Sequence, residues 1–418
     1  MQAGKGLRWK IVWVLFLSTA LNYINRQTLS LLAPVISKDL HFDHEALSQI
    51  FGAFQISYAW TWLIGGVVLD LIGARAGLTI AVIWWSIVSI VTSSAHSLGA
   101  FMTCRALLGI GEGLNWPGAS KVVAEWFPAK ERSIAVAIFD SGSSVGAAIA
   151  AVAIPLVSIK FGWRAAFVLS GLLGFLWLLL WLRNYYPLDK HPRLTPAEAA
   201  VIRDGAETRT NGANTRLSFR ILRDRNTWGI LLGRSLTDPM WWFFVFWLPQ
   251  YLSDARGFSL KQIAVFAWIP FLAADIGNFT GGLASGWLIR RGMPVIRARK
   301  LVCILSCIPM LAGIPAATVH NAYAALALIC VALWGYASWA TMGLTLPSDL
   351  FDQKMVATVT GLSGFGAGIA GTAVTLAVGI IVDKSSYLPA FLLVTALPLI
   401  ATLSVTFLVS QPRTVSAA

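Results

Sequence analysis

The chain is built from apolar runs of about 20 residues, the length a helix needs to cross the hydrocarbon core of a bilayer. Twelve such runs can be read, at 11–36, 46–70, 77–96, 101–124, 133–158, 163–183, 227–253, 261–290, 299–318, 322–349, 355–382 and 387–410. In hydrocarbon no water satisfies a free backbone amide, so each run must bond within itself as a helix. An all-α membrane protein of twelve transmembrane helices is expected. Composition agrees, because 57% of the 418 residues are hydrophobic, only 12% are charged, and the mean hydropathy is +0.70. A soluble domain carries roughly 25% charged residues.

The basic residues lie between the runs. Nine fall between Arg183 and Arg225 and five between Arg290 and Lys300, whereas the loops of the other side hold Lys38, Lys160, Arg164, Arg256, Lys261 and Lys384. That bias puts both termini in the cytoplasm, with a multi-pass chain in the inner (plasma) membrane. The formal charge of +13 therefore reports topology, and no nucleic-acid partner is expected. The first run is long, polar near its middle and followed by others, so no cleavable signal peptide is expected.

One long polar stretch separates the sixth and seventh runs and divides the chain into a six-helix half at 1–183, a cytoplasmic linker at 184–226 and a second six-helix half at 227–418. Within the linker, Thr195, Pro196 and Glu198 read as a helix start, with Thr195 as N-cap and Glu198 closing a capping box. Phe127, Lys130, Ala166 and Phe167 recur as Phe351, Lys354, Ala390 and Phe391 at an offset of 224. Pseudo-repeated halves of this kind suit a secondary transporter with a site near the bilayer midplane.

Cys104, Cys303, Cys307 and Cys330 all fall in apolar runs and read as small buried hydrophobes. His41, His44, His96, His191 and His320 sit in loops or at run ends without ligand spacing. No metal, no cofactor and no enzymatic activity is expected.

Charges that remain inside the runs are costly, roughly 2.5–3.5 kcal/mol for an Arg at the bilayer centre, so they mark a protein interior or an aqueous cavity. Arg26, Arg105 and Arg234 are such residues, and Arg105 opens the stretch Arg105 to Pro117, which also holds Gly109, Gly111, Glu112, Gly113, Asn115 and Trp116. Arg105 and Glu112 are seven apart, two turns on one helical face, and are expected to work together as a proton-coupling pair. Arg234 has Asp238 one turn on as a partner. Three guanidiniums in the membrane need counter-charges or a ligand, and a planar bidentate group suits a carboxylate. Arg26 either meets such a substrate or satisfies an internal acid or helix-end carbonyl. Polyol recognition needs neutral hydrogen-bonding groups and flat rings, for which Asn22, Tyr23, Asn115, Trp116 and Asn278 are the candidates.

Gly66 to Arg75, with Asp70 and Gly73 between, resembles the cytoplasmic signature loop of the major facilitator superfamily. Leu21 to Arg26, the Arg105 stretch, Glu125 to Arg132 and Trp247 to Pro249 together resemble its anion:cation symporter family, closest to the bacterial hexuronate and sugar-acid transporters. The resemblance spans both halves. It implies two six-helix bodies, alternating access, a gating role for Asp70 and Arg75, and contact of Arg26 with the substrate carboxylate. The second-half counterpart of the loop, Gly282 to Gly292, lacks the Asp.

Galactonate-carrying relatives have a proton-taking Asp immediately before the first-helix Arg, whereas this chain has Asn25. Glu112 is then the expected proton site, with Asp140, Asp238 and Asp275 as further acids. The expected function is import of a small organic anion, a hexuronate or aldonate, by proton symport, by a monomer in the lipid bilayer. Transport of a small monocarboxylate or other organic anion, and a membrane receptor that binds a carboxylate without moving it, are the alternatives.

Overall fold

A computed structural model describes residues 6–127, 129–204, 219–351 and 353–410; the side chain of Asp70 lies outside the described residues. In chain order the α-helices are α1 (Leu7–Leu40), α2 (His44–Thr92), α3 (Leu98–Glu112), α4 (Asn115–Trp126), α5 (Ala129–Phe161), α6 (Trp163–Asn184), α7 (Pro196–Asp204) and α8 (Arg225–Asp254). They continue as α9 (Leu260–Phe266), α10 (Ile269–Arg290), α11 (Val295–Met310), α12 (Gly313–Thr318), α13 (Ala322–Leu350), α14 (Gln353–Lys384) and α15 (Tyr387–Leu408). No strand occurs among the described residues.

The twelve expected runs are all helical, with two differences of detail. The second and third runs are carried by the single stretch α2, which turns at Gly73 with φ 78° and ψ 156°, a conformation open to glycine and strained for other residues. The fourth, eighth and ninth are each two helices end to end, α3 with α4, α9 with α10, and α11 with α12. Polar side chains cap helix starts: Ser97 accepts from the Ala100 amide at 3.3 Å, and Asn321 from those of Tyr323 and Ala324 at 2.9 and 3.1 Å.

Among the described residues, eight helical spans are long and apolar enough by themselves to cross a membrane. Their outer faces carry large apolar side chains, with Phe279 69%, Leu283 67% and Leu179 67% exposed. Lipid tails are the fitting neighbour for such surfaces.

The chain divides into two compact units. The first comprises Met1–Phe42, Ile56–Ala213 and Phe258–Trp268; the second comprises Asp43–Gln55, Asn214–Gly257 and Ile269–Ala418. In the first unit α1 packs on α5 through Gly142 and Gly146, where a Cβ would strike the Phe16 carbonyl and the Ala20 backbone. Small residues four apart let helix backbones approach closely, which is how helices associate when lipid removes the hydrophobic drive. α7 docks on the start of α1. Thr195 caps it as expected, accepting from the Glu198 amide at 3.3 Å, but Glu198 does not close a capping box. Its carboxylate instead accepts from the Arg8 amide at 3.1 Å and pairs with the Arg8 guanidinium at 3.4 Å, both side chains being buried. A buried Arg beside it is a stronger claimant than a backbone amide near solvent.

The second unit repeats the small-residue device, with Gly277 and Gly281 of α10 against the backbones of Trp334 and Ser338 on α13. At one end of this unit His44 is held between two acids, its Nε2 2.8 Å from Asp254 Oδ2 and its Nδ1 2.6 Å from Asp383 Oδ1. Asp383 also accepts the Glu45 amide at 2.6 Å, and Asp254 accepts Gln250 Nε2 at 2.9 Å and the Tyr387 hydroxyl at 3.1 Å. The start of α2 is thereby clasped to the C-terminal ends of α8 and α14.

Candidate functional site

The fourth helical pass breaks because of Pro117. A proline removes one helical amide and its ring clashes with the carbonyl four residues earlier, here that of Gly113. In the third position of α4 the missing amide costs little, since the first turn leaves its amides unbonded anyway. Glu112 thus ends α3 and Asn115 begins α4, and both side chains point at α1.

Four residues of α1 meet them, Ser18, Thr19, Asn22 and Arg26, with Tyr23 beside Arg26, and all five are buried. Arg26 Nε lies 3.1 Å from Glu112 Oε2, and its second amino group donates to Asn22 Oδ1 at 3.0 Å. Its guanidinium carbon stands 4.7 Å from the Tyr23 ring centre and 4.5 Å from that of Tyr58, both within cation–π reach. Asn22 Nδ2 reaches the Glu112 carbonyl at 3.4 Å. Asn115 accepts from Ser18 Oγ at 2.6 Å and donates to Thr19 Oγ1 at 3.2 Å. Arg105 donates to the Arg26 carbonyl at 3.5 Å and lies 5.7 Å from the Phe167 ring centre.

Among the described residues the direct ion-pair partner of Glu112 is Arg26, while Arg105 stands behind it, bonded to the Arg26 carbonyl. Seven residues of helix separate Arg105 and Glu112 by roughly 10 Å along the axis, and the neighbouring helix brings a guanidinium nearer. Of the two alternatives open for Arg26 from the sequence, it satisfies an internal acid in this structure. Glu112 Oε1 and Arg105 Nε are buried with no hydrogen-bond partner among the described residues. Among the described residues, and apart from Arg8 with Glu198, the buried Arg and carboxylate charges of this unit are two guanidiniums, 1% and 3% exposed, and one carboxylate at 0%. Among the described residues the cluster has one positive charge in excess.

Trp116 extends the site. Its ring centre is 5.9 Å from that of Tyr23, and its indole donates to Asp140 Oδ1 at 3.0 Å, Asp140 being exposed on α5. Asn25 donates to the Leu21 and Ser170 carbonyls at 3.0 and 3.4 Å and so faces α6. Ser18 and Thr19 were not among the sequence candidates. Their spacing of three and four residues from Asn22 was the available signal.

In the second unit Arg234 bonds Asp238 at 2.9 Å and Ser363 Oγ at 3.3 Å, while Asp238 accepts the Tyr336 hydroxyl at 3.3 Å. That guanidinium is neutralised on its own helix. Asn278 is exposed on α10 and accepts from Thr341 Oγ1 at 3.1 Å. Arg75, at the Gly73 turn, donates to the Leu182 carbonyl at 2.9 Å and lies 3.7 Å from the Tyr186 ring centre. It lines a recess of about 510 Å³ with Glu125 and Tyr185.

The model of one family of transporters matches residues 15–375. The chain belongs to the Major Facilitator Superfamily. As a superfamily member it is an integral, multi-pass membrane transporter and not an enzyme. It is 36% identical to the hexuronate transporter of Escherichia coli (strain K12) over 99% of this chain and 96% of that one. It is 29% identical to a probable galactarate/D-glucarate transporter of Bacillus subtilis (strain 168), over 99% of this chain and 94% of that one. Among solved structures, the inward-open xylose transporter of E. coli superposes with a TM-score of 0.74 at 14% identity, covering 98% of each chain. That likeness gives the superfamily fold, in which twelve helices form two domains.

Proposed function

We propose that this protein is a secondary active transporter that imports a sugar acid, a hexuronate or aldonate, with protons. The observation that carries this reading is the excess positive charge of the Arg26, Arg105 and Glu112 cluster, buried among hydroxyl, amide and aromatic groups. A carboxylate balances that charge and takes both edges of a guanidinium. The similarity to a hexuronate transporter over nearly the whole chain supports the same substrate class.

Arg26 cannot hold Glu112 and a substrate carboxylate with the same donors. A proton arriving on Glu112 weakens the ion pair and turns the guanidinium toward the substrate; loss of the proton restores the pair and drives the substrate off. Competition between two carboxylates for one cation couples proton to cargo, because each occupancy favours a different state. Asn22, Tyr23, Asn115 and Trp116 receive the hydroxyls and the C–H face of the sugar, and Asn278 serves from the second half. Asp70 and Arg75 gate the cytoplasmic side as the halves 1–183 and 227–418 move, with both termini in the cytoplasm and the protein acting as a monomer.

The test is uptake of labelled D-galacturonate into proteoliposomes under an inward proton gradient. Accumulation above the equilibrium level, abolished by a protonophore and competed by sugar acids but not by neutral hexoses, is the expected result. Binding without accumulation would make the protein a receptor, and equal competition by neutral hexoses would remove the anion site.

A further inference from the structure

The two halves repeat each other more closely in their helix bounds than in their residues. At the offset of 224 that relates Phe127 to Phe351, α3 begins at Leu98 and α13 at Ala322, and α6 runs Trp163–Asn184 where α15 runs Tyr387–Leu408. Phe127 and Phe351 themselves close α4 and α13 as C-caps. The same offset pairs Arg75 with Arg299, Ala76 with Lys300, Glu125 with Asp349 and Leu182 with Thr406. In the second unit two cations divide the work: Arg299 Nε pairs with Asp349 Oδ2 at 2.9 Å, and Lys300 Nζ donates to the Thr406 carbonyl at 2.8 Å, near the end of α15. In the first unit an alanine stands in the place of that lysine. Arg75 has taken over its task and donates to the Leu182 carbonyl at 2.9 Å, near the end of α6. Glu125 accepts the Tyr185 hydroxyl at 2.9 Å, and among the described residues it has no cationic partner.

Arg75, Ala76 and Glu125 line the recess of about 510 Å³, and every residue of its lining belongs to the first unit. The recess lies where the apolar span Leu71–Thr92 begins and the apolar span Trp163–Asn184 ends, the level at which the hydrocarbon of a bilayer gives way to headgroups. Ile72, Ile80 and Leu182 on its walls are exposed. Thr79, also on its wall, has a buried hydroxyl oxygen with no hydrogen-bond partner among the described residues. We propose that this recess binds an aminophospholipid, with its ammonium on Glu125, its phosphate on Arg75 and its acyl chains against Ile72 and Ile80. The bound ammonium gives Glu125 the positive charge that Arg299 gives Asp349 in the second unit. A primary ammonium has three N–H groups to offer a carboxylate, and a guanidinium with one donor on the Leu182 carbonyl keeps others for a phosphate oxygen. A choline headgroup has no N–H to give. A glycerol headgroup brings net negative charge against Glu125, and such repulsion selects as well as attraction does. Basic pockets between membrane helices suit lipid headgroups in general; the carboxylate beside the guanidinium is what singles out an amine-bearing one here. The proposal concerns the surrounding lipid and goes beyond the cargo reading above.

The experiment is native mass spectrometry of the full chain in detergent, titrated with phosphatidylethanolamine, phosphatidylcholine and phosphatidylglycerol of matched acyl chains. The readout is the ratio of dissociation constants for the first lipid bound, which unspecific adhesion of lipid leaves near unity. In the unsubstituted protein the ethanolamine lipid should bind about tenfold more tightly than the choline lipid. Glu125→Gln keeps an acceptor for the Tyr185 hydroxyl and removes the charge, so the ratio should fall to near unity. Ala76→Lys supplies from within the chain the ammonium that the second unit has at Lys300. With that lysine on the Leu182 carbonyl and Arg75 released to pair with Glu125, the preference should again be lost. Asp349→Asn, which disturbs the equivalent pair outside the recess, should leave the ratio as it is. If Glu125→Gln protein cannot be recovered folded, Ala76→Lys decides the matter. Equal binding of ethanolamine and choline lipids by the unsubstituted protein, tighter binding of the glycerol lipid, or a ratio unchanged in Glu125→Gln overturns the proposal. Each of these outcomes leaves the sugar-acid reading in place, since its test is uptake of the cargo.

Discussion

The contacts of Arg26 include the ion pair with Glu112, the rings of Tyr23 and Tyr58 and the amide oxygen of Asn22, with 1% of its surface exposed. A cation so enclosed answers to whatever changes the charge of its partner. Glu112→Gln keeps the side-chain shape and an acceptor for Arg26 Nε but removes the charge that titrates. Accumulation of sugar acid driven by a proton gradient should fall to the equilibrium level, while exchange of labelled for unlabelled substrate persists. The two assays run side by side decide the matter, since uphill accumulation at the unsubstituted rate would assign the proton to another acid. Glu112→Ala is harsher. It leaves a guanidinium buried without its counter-charge, and breaking such a pair typically costs about 3–5 kcal/mol, visible as a lower unfolding temperature in detergent.

Among elements, the junction of α1 with α5 depends on two missing Cβ atoms. At Gly146 an added methyl would meet the Ala20 backbone, which cannot rotate away as a side chain can. Gly146→Leu should force the helices apart, cost roughly 1–3 kcal/mol by overpacking, and weaken the site, because α1 carries Asn22, Tyr23 and Arg26. Thermal unfolding followed by tryptophan fluorescence, read against substrate-induced stabilisation, measures both effects. The clasp at the start of α2 predicts a pH dependence. Hydrogen bonding to Asp254, and next to Asp383, raises the His44 pKa above its ordinary 6.5, against the opposing pull of partial burial. A raised basic pKa stabilises below the unfolded value and loses that contribution as pH rises through the folded value. The unfolding temperature of the native protein should therefore exceed that of His44→Gln at pH 5.5, and the gap should close on the alkaline side. A gap independent of pH would show that His44 acts by packing against Trp247, whose ring stacks 6.1 Å away.

For the whole molecule, the charge bias of the loops and the even number of passes lead to a topology that can be checked directly. Epitope tags at either end should be reached by protease in inside-out vesicles and protected in right-side-out spheroplasts. Protection of the tags in inside-out vesicles would reverse the orientation and put the Arg75 turn on the outer face.

The number of passes was legible because bilayer thickness imposes a length on each apolar run, and that constraint acts on the chain locally. The loop turn at Gly73 and the capping of α7 by Thr195 were legible for the same reason, since φ preference and side-chain reach are properties of a few neighbouring residues. The sequence also marked Arg26, Arg105 and Glu112 as charges that must face protein or water. Which of them pair could not be read from spacing within one helix. Periodicity put Glu112 with Arg105 on the face of α3, and packing of α1 against the break between α3 and α4 gave it Arg26 as its direct ion-pair partner. The Trp116 bond to Asp140 likewise joins residues 24 apart on separate helices. Contacts of this kind depend on crossing angles and on where glycines let backbones close, which no local propensity encodes, so tertiary structure alone decided them.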